Sequence, residues 1–238
     1  MKILTDLHTH TLASTHAYST LKENVELAKK AGLEAIAVTD HAPAIPDSPH
    51  IWHFENLKSL PDEIDGIKIL KGVEANIVDL KGNLDMDDSL LNKLDIVVAS
   101  IHRPCYNDYG AEDNTSAYLN ALDNPYVDII GHSGYYDIPY NYDPVLLKAK
   151  QLHKLIEINN ATFIVRPRSV HNCKNIALRC KELGVGITLD SDAHNCYAIG
   201  KYDKALEILK EIDFPEELIM NSSYEKLKNY LKPRKELK

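Results

Sequence analysis

The chain is poor in the features that announce several common protein classes. Only four of its 238 residues are cysteine (Cys105, Cys173, Cys180 and Cys196), and none forms a C-x-x-C pair. That excludes a disulfide framework and favours reduced thiols in a cytoplasmic protein. The longest apolar runs are short strands, far below the ~20 residues that a membrane-spanning helix needs. The N-terminal Met-Lys-Ile-Leu-Thr-Asp already reads as a strand, not as a signal peptide. Glycine is sparse, and no phosphate loop of the G-x-G-x-x-G or Walker type is present. Positive charge is also short: the formal net charge is −8, with only five arginines. This balance argues against a broad electrostatic grip on extended nucleic acid. It leaves room for a small anionic substrate, because bound metals would be the largest local charges.

What the chain has is a regular alternation. Apolar runs rich in Val and Ile recur at residues 3–7, 35–39, 67–74, 95–100, 127–130, 155–158 and 185–189. Such runs suit strands buried on both faces. Helical patterns lie between most of them. Residues 20–31 carry Ser19 or Thr20 as cap, Glu23 in the first turn and Gly32 at the end. Residues 144–154 open with proline after Asp143, and residues 172–183 end at Gly184. Residues 201–212 and 222–231 read as closing outer helices, the second running into a solvated lysine-rich tail at 226–238. Residues 42–60, with Pro43, Pro46 and Pro49, read as a long loop over one end. The expectation is an α/β fold of parallel strands and right-handed crossovers. A seven-stranded, TIM-like (β/α)7 barrel is favoured over an open sheet, with residues 1–238 as a single domain. A chain of this size buries roughly 70–75% of its unfolded surface and does not need a metal in order to fold.

Nine metal-ligand types follow the strands. They are His8, His10 and His16; His41 in Thr39-Asp-His; Glu74; His102; His132; and Asp192 and His194 in Ser191-Asp-Ala-His. Imidazole and carboxylate are ligands of divalent transition metals. A lone histidine is more often a surface or core residue than a ligand. Nine such groups in register with strand ends, where a parallel barrel carries its active site, are another matter. Nine exceed the needs of one tetrahedral ion and suit a polynuclear site for metal-assisted hydrolysis. The sixth strand, 155–158, offers no ligand at its end. Arg168 follows that strand and is a candidate fork for phosphate, with Arg103 second. Asn159 and Asn160 are candidates to line the pocket. Asp6 and Asp40 either orient imidazoles or are ordinary buried polar groups. His50, His53, His153 and His171 fall off the pattern, and Cys196 reads as a packed small hydrophobe.

These motifs, in this order, resemble the PHP family, the polymerase and histidinol phosphatase domains. The length and the late stretch Asp213-Phe-Pro-Glu-Glu-Leu-Ile-Met-Asn look most like its YcdX-type subgroup of small phosphatases. The resemblance implies a distorted seven-stranded barrel with three divalent metals, zinc first, with manganese or iron as alternatives. His8, His10, Glu74 and Asp192 would hold one metal. Glu74, His102 and His132 would hold a second, Glu74 bridging. His16, His41 and His194 would hold the third. The implied activity is hydrolysis of small phosphate monoesters by a metal-bound hydroxide, with Glu74, Asp192 and Arg168 in the catalytic machinery. A phosphodiesterase or nuclease acting on nucleotides or nucleic-acid ends is the alternative, and a metal-storing barrel without turnover is a third reading. The implied partner is a small phosphorylated substrate, with no membrane; a homo-oligomer is left open.

Overall fold

In the computed structural model, which describes residues 1–235, all seven apolar runs form parallel strands. In chain order the first elements are β1 (Thr5–Asp6), α1 (Leu21–Ala31), β2 (Ala35–Val38), α2 (Ile51–Asn56), β3 (Glu63–Ile64) and β4 (Ile67–Asn76). Then come α3 (Asp88–Leu91), β5 (Ile96–Ser100), α4 (Ala111–Asp123), β6 (Ile129–Ile130), α5 (Tyr142–Gln151) and β7 (Leu155–Asn159). The chain continues with α6 (Thr162–Val165), α7 (Val170–Leu183), β8 (Ile187–Asp190), α8 (Asp203–Glu211) and α9 (Tyr224–Lys235). The parallel strands pair in the order β1-β2-β4-β5-β6-β7-β8, a nearly closed barrel of seven; β3 adds an antiparallel hairpin on β4.

Local chemistry explains the boundaries. Thr20 and Glu23 make a reciprocal capping box at the start of α1, and Gly32 ends it in the left-handed conformation at φ 74°. Gly184 does the same for α7. Helix α5 begins two residues before Pro144, so the proline sits in the first turn, where no intrahelical N–H is lost. Four helices escape the sequence pattern, among them the single-turn α3 and α6. α2 is a short helix inside the proline-bearing 42–60 stretch, and α4 has a polar sequence with a weak apolar face. The last three residues of the lysine-rich tail lie outside the described residues.

Inside the barrel, side chains alternate with period two. Leu70, Ile96, Val98, Ile129 and Leu155 point inward near the N-terminal ends of their strands, beside Leu7 and Ala37. Leu227 and Leu231 of α9 plug this apolar floor from below. Further along in the same inward phase the interior turns polar: Glu74 lies four residues after Leu70 along β4, and Glu157 two residues after Leu155 along β7. The outward faces pack under the helices in a second, larger core.

The barrel closes without a β1–β8 ladder. Side chains bridge the seam instead. Leu7 N donates to Asp190 Oδ1 at 2.7 Å, and Ser191 N donates to Asp6 Oδ1 at 3.0 Å. Asp6 therefore ties backbone across the seam and orients no imidazole. Asn221, at the end of the late 213–221 stretch, is fully buried in the same gap. Its Nδ2 donates to Thr5 O and Leu189 O, while its Oδ1 accepts from Leu189 N. At the upper end a single bridge pairs Thr9 with Ala193. An Asn221→Ala change strands a buried N–H and two carbonyls, each worth about 1–3 kcal/mol when left unmade. The expected loss is about 2–4 kcal/mol of unfolding free energy by denaturant titration. A midpoint within error of wild type would show that the seam does not depend on this amide.

Candidate metal centre

At the C-terminal ends of the strands, eight of the nine ligand candidates converge on one buried polar cluster, with His16 at its mouth. Glu74 is its centre. His132 Nε2 lies 2.8 Å and His102 Nε2 3.3 Å from Glu74 Oε1. His41 Nδ1 lies 2.7 Å and His8 Nε2 3.2 Å from Oε2, with His10 Nε2 at 3.6 Å. Asp192 Oδ1 stands 3.2 Å from His10 and 3.5 Å from His194. Chain segments almost two hundred residues apart meet here because the barrel lays the end of β8 beside the end of β1. Asp192 and His132 hold left-handed φ values of 52° and 21°, backbone strain of the kind found where a site requires it.

The donor set fits divalent metal ions on two grounds. First, His8 Nε2, both ring nitrogens of His10, His41 Nδ1 and Glu74 Oε2 are buried without hydrogen-bond partners, although His41 Nδ1, His8 Nε2 and His10 Nε2 lie 2.7–3.6 Å from Glu74 Oε2. Close approach without hydrogen-bond alignment is how lone pairs sit when they face a common cation. Three groups of three ligand atoms each fall within 4.8 Å: His8, His10 and Glu74; His41, Glu74 and His102; and His10, His41 and His194. Second, the charge state suits ligation. Burial, with His41 and His194 nearby, pushes His10 down to about 3; burial likewise takes His102 to about 4, so both rings are neutral donors. Burial alone would raise the Glu74 carboxyl, but His8, His102 and His41 hold it well below the usual range. Burial would lower His8, yet Glu74, Glu157 and Asp192 together drive it well above its ordinary value. Three carboxylates around one imidazole mark a place that wants positive charge.

The imidazoles are aimed by partners on their other nitrogen. His102 Nδ1 meets Asn76 Oδ1 at 2.7 Å, and His8 Nδ1 meets Glu157 Oε1 at 2.7 Å. Glu157 also accepts from His132 N at 2.6 Å and from Asn159 Nδ2. The sixth parallel strand, which offers no candidate ligand at its end, thus sets two candidate ligands, His8 and His132, from its interior. The sequence signal was a lone carboxylate in phase with Leu155 on an otherwise apolar strand. Asn159 also donates to Asp192 Oδ2 at 3.1 Å. Asp40 accepts from Thr11 and Ser14 in the loop after β1, and His53 Nε2 stands 3.2 Å from it, so it anchors loops and not a ligand ring. His16 is half exposed, its ring stacked near His41 and His194 but hydrogen-bonded through Nδ1 to Asp47.

Two cavities open on the cluster, of about 390 and 560 Å³, and share His16, Arg166, Asp192 and His194 in their walls. A larger hollow of about 700 Å³, between α1 and the 51–60 segment, touches none of the nine groups; the chemistry and not the size marks the site. Arg166 is the arginine that reaches in. Its Nη1 is 4.0 Å from Asp192 Oδ2, and its guanidinium lies over the Tyr135 ring at 4.6 Å. Arg168, the sequence candidate, lines neither cavity: it turns away and stacks on Tyr136 at 3.8 Å. The 167–169 turn between α6 and α7 sends residues two apart to different sides. Arg103 borders the smaller cavity but is mostly exposed and paired with Asp137 at 2.9 Å. Cys196 is buried, as its packing role requires.

A family profile described as the PHP domain matches residues 6–164, two-thirds of the chain. The chain belongs to the PHP domain family. A probable phosphatase of Clostridium novyi (strain NT) is 51% identical across 100% of this chain and 98% of its own length. Another, of Thermoanaerobacter sp. (strain X514), is 48% identical across 99% and 97%. Among solved structures, the fold resembles histidinol phosphate phosphatase from Lactococcus lactis subsp. lactis Il1403, complexed with zinc, L-histidinol and phosphate. That likeness has a TM-score of 0.62 at 22% identity, over 90% of this chain and 95% of the other. Among the described residues no helix is long and apolar enough to cross a membrane.

Glu157→Gln leaves one accepting oxygen where two serve His8, His132 and Asn159. The PHP fold should persist by circular dichroism, while metal affinity falls about 10- to 100-fold in chelator competition. Unchanged affinity would show that His8 is aimed without it.

Proposed function

We propose that this chain is a metal-dependent phosphomonoesterase acting on small phosphorylated substrates at a trinuclear site. The observation that carries the reading is the Glu74 carboxylate, fully buried, with imidazole nitrogens against both oxygens. The assignment of metals follows the resemblance: His8, His10, Glu74 and Asp192; Glu74, His102 and His132; His16, His41 and His194. The grouping of His8, His10 and Glu74 supports the first set. The other two close groupings, which join His41 to Glu74 and His102 and join His10 to His41 and His194, run across the sets and fit ions packed side by side. Divalent ions bound here supply an acidified water, its pKa lowered from about 15.7 towards ~7, and neutralise phosphate charge.

The protein's own groups do the rest. Glu74 holds two halves of the cluster at a fixed separation. Asp192 draws together the ends of β1 and β8 and, through Asn159, is itself held by β7. Arg166, braced on Tyr135, offers its fork to phosphate oxygens in the shared wall of the two cavities. Its nearness to Asp192 sets it at the edge of the cluster, where a phosphate oxygen emerges. The two relatives named as probable phosphatases, and the zinc and phosphate in the histidinol phosphatase, support this reading.

Elemental analysis of gently purified protein should find about three divalent transition metals per chain, and Glu74→Gln should lower both metal content and turnover, the latter by several orders of magnitude. Near-normal turnover at full occupancy would remove Glu74 from the bridging role. A faster reaction with diesters than with monoesters under matched metal would overturn the monoesterase assignment.

Arg166→Ala should lower kcat/KM by about 10- to 150-fold, the equivalent of one charge-assisted hydrogen bond of about 1.5–3 kcal/mol, with metal content intact. Arg168→Ala is the control that separates the two arginines. If Arg168→Ala carries the larger loss, the phosphate fork lies on the other side of the turn.

A further inference from the structure

The larger of the two cavities is unusual in its walls. Ile164 and Val165 at the end of α6, and Tyr197 beyond β8, are 65%, 64% and 77% exposed, and all three line this chamber beside the cluster. Large apolar side chains left in water around one concavity mark a surface that is covered by a ligand. The chamber shares the cluster's wall at Arg166, Asp192 and His194, so whatever sits in it is joined to the place where phosphate binds. Lys201 lines this chamber but not the smaller cavity. It makes no ion pair among the described residues. Asp192 is the one carboxylate among the described residues lining the chamber, and it is engaged with His10 and His194. Beyond Asp192 and the imidazoles of His16 and His194, then, the chamber presents apolar surface, a tyrosine ring, the neutral polar residues Asn160, Ser191 and Asn195, and the positive charge of Arg166 and Lys201.

We propose that this chamber holds the alcohol part of the substrate, and that it selects a planar apolar alcohol carrying a distal anionic group over an amino alcohol. The inference rests on the reading of the cluster as a phosphoester site. An apolar body packs against Ile164, Val165 and the Tyr197 ring. An anionic end meets Lys201. An ammonium placed there finds no free carboxylate and is opposed by Lys201 and Arg166.

The test uses metal-loaded protein and two non-hydrolysable probes, 4-carboxybenzylphosphonate and 4-(aminomethyl)benzylphosphonate, by titration calorimetry. The carboxylate probe should bind about three- to tenfold more tightly, the scale of one partly exposed charge pair. Lys201→Glu should abolish or invert that preference. Tyr197→Ala should weaken both probes about fivefold relative to methylphosphonate. Equal binding of the two probes, a preference that survives Lys201→Glu, or a benzyl-to-methyl ratio untouched by Tyr197→Ala would each overturn the assignment. Release of phosphate from 4-carboxyphenyl phosphate is read separately. Probe discrimination without hydrolysis would leave the chamber standing and sink the esterase reading. Hydrolysis without discrimination would do the reverse.

Discussion

The site hangs on one buried carboxylate. Glu74 sits at the barrel axis with no solvent contact, and a lone carboxylate there would carry a desolvation cost of several kcal/mol. His132 Nε2 hydrogen-bonds Oε1 at 2.8 Å, but Oε2 has no hydrogen-bond partner, because the imidazole nitrogens around it approach without alignment. The ordering of the interior makes this tolerable. The apolar floor of Leu7, Leu70, Ile96, Ile129 and Leu155, closed from below by α9, is separate from the polar storey above it. The fold is held by the first and spends nothing of it on the second, so the ligands are free to face one another in the arrangement a cation needs.

The seam is the second constraint, and it serves the first. A full ladder between β1 and β8 would fix the spacing of their ends by backbone geometry alone. Here Asp6, Asp190 and Asn221 replace ladder bonds with side-chain bonds, and Thr9 and Ala193 pair only at the top. The two strand ends are thereby set by side chains, and His8, His10, Asp192 and His194 come to stand edge to edge. The distortion of the barrel and the placing of the candidate metal ligands are one arrangement.

Much of this was legible in the sequence, for identifiable reasons. Val- and Ile-rich runs with capped helices between them can pack economically in few ways, and a histidine just past such a run projects from the barrel's C-terminal end. What was not legible depends on phase and on turns. Glu157 reads as an interruption of an apolar strand until its period-two phase with Leu155 is noticed; that phase points it inward. Arg166 and Arg168 are equivalent in sequence, and only the tight turn after α6 decides which faces the cavity. Helix α4 has too little apolar face to signal itself, and α2 hides among prolines that read as loop. Asn221 lies in a stretch noticed only for its resemblance, because an asparagine that repairs a barrel seam leaves no periodic trace.

The chain is acidic overall, and its cluster concentrates Glu74, Glu157 and Asp192 within 3.6 Å of one imidazole, with Arg166 at the rim. A phosphate dianion approaching those carboxylates without cations is repelled. With cations between them, the same carboxylates hold the charge that attracts it. On the proposed function, metal and phosphate would bind as linked events, each raising the affinity for the other by the same factor. The proposed reading agrees with the sparse arginine of the sequence: a site that recruits its positive charge as metal has little need of guanidinium.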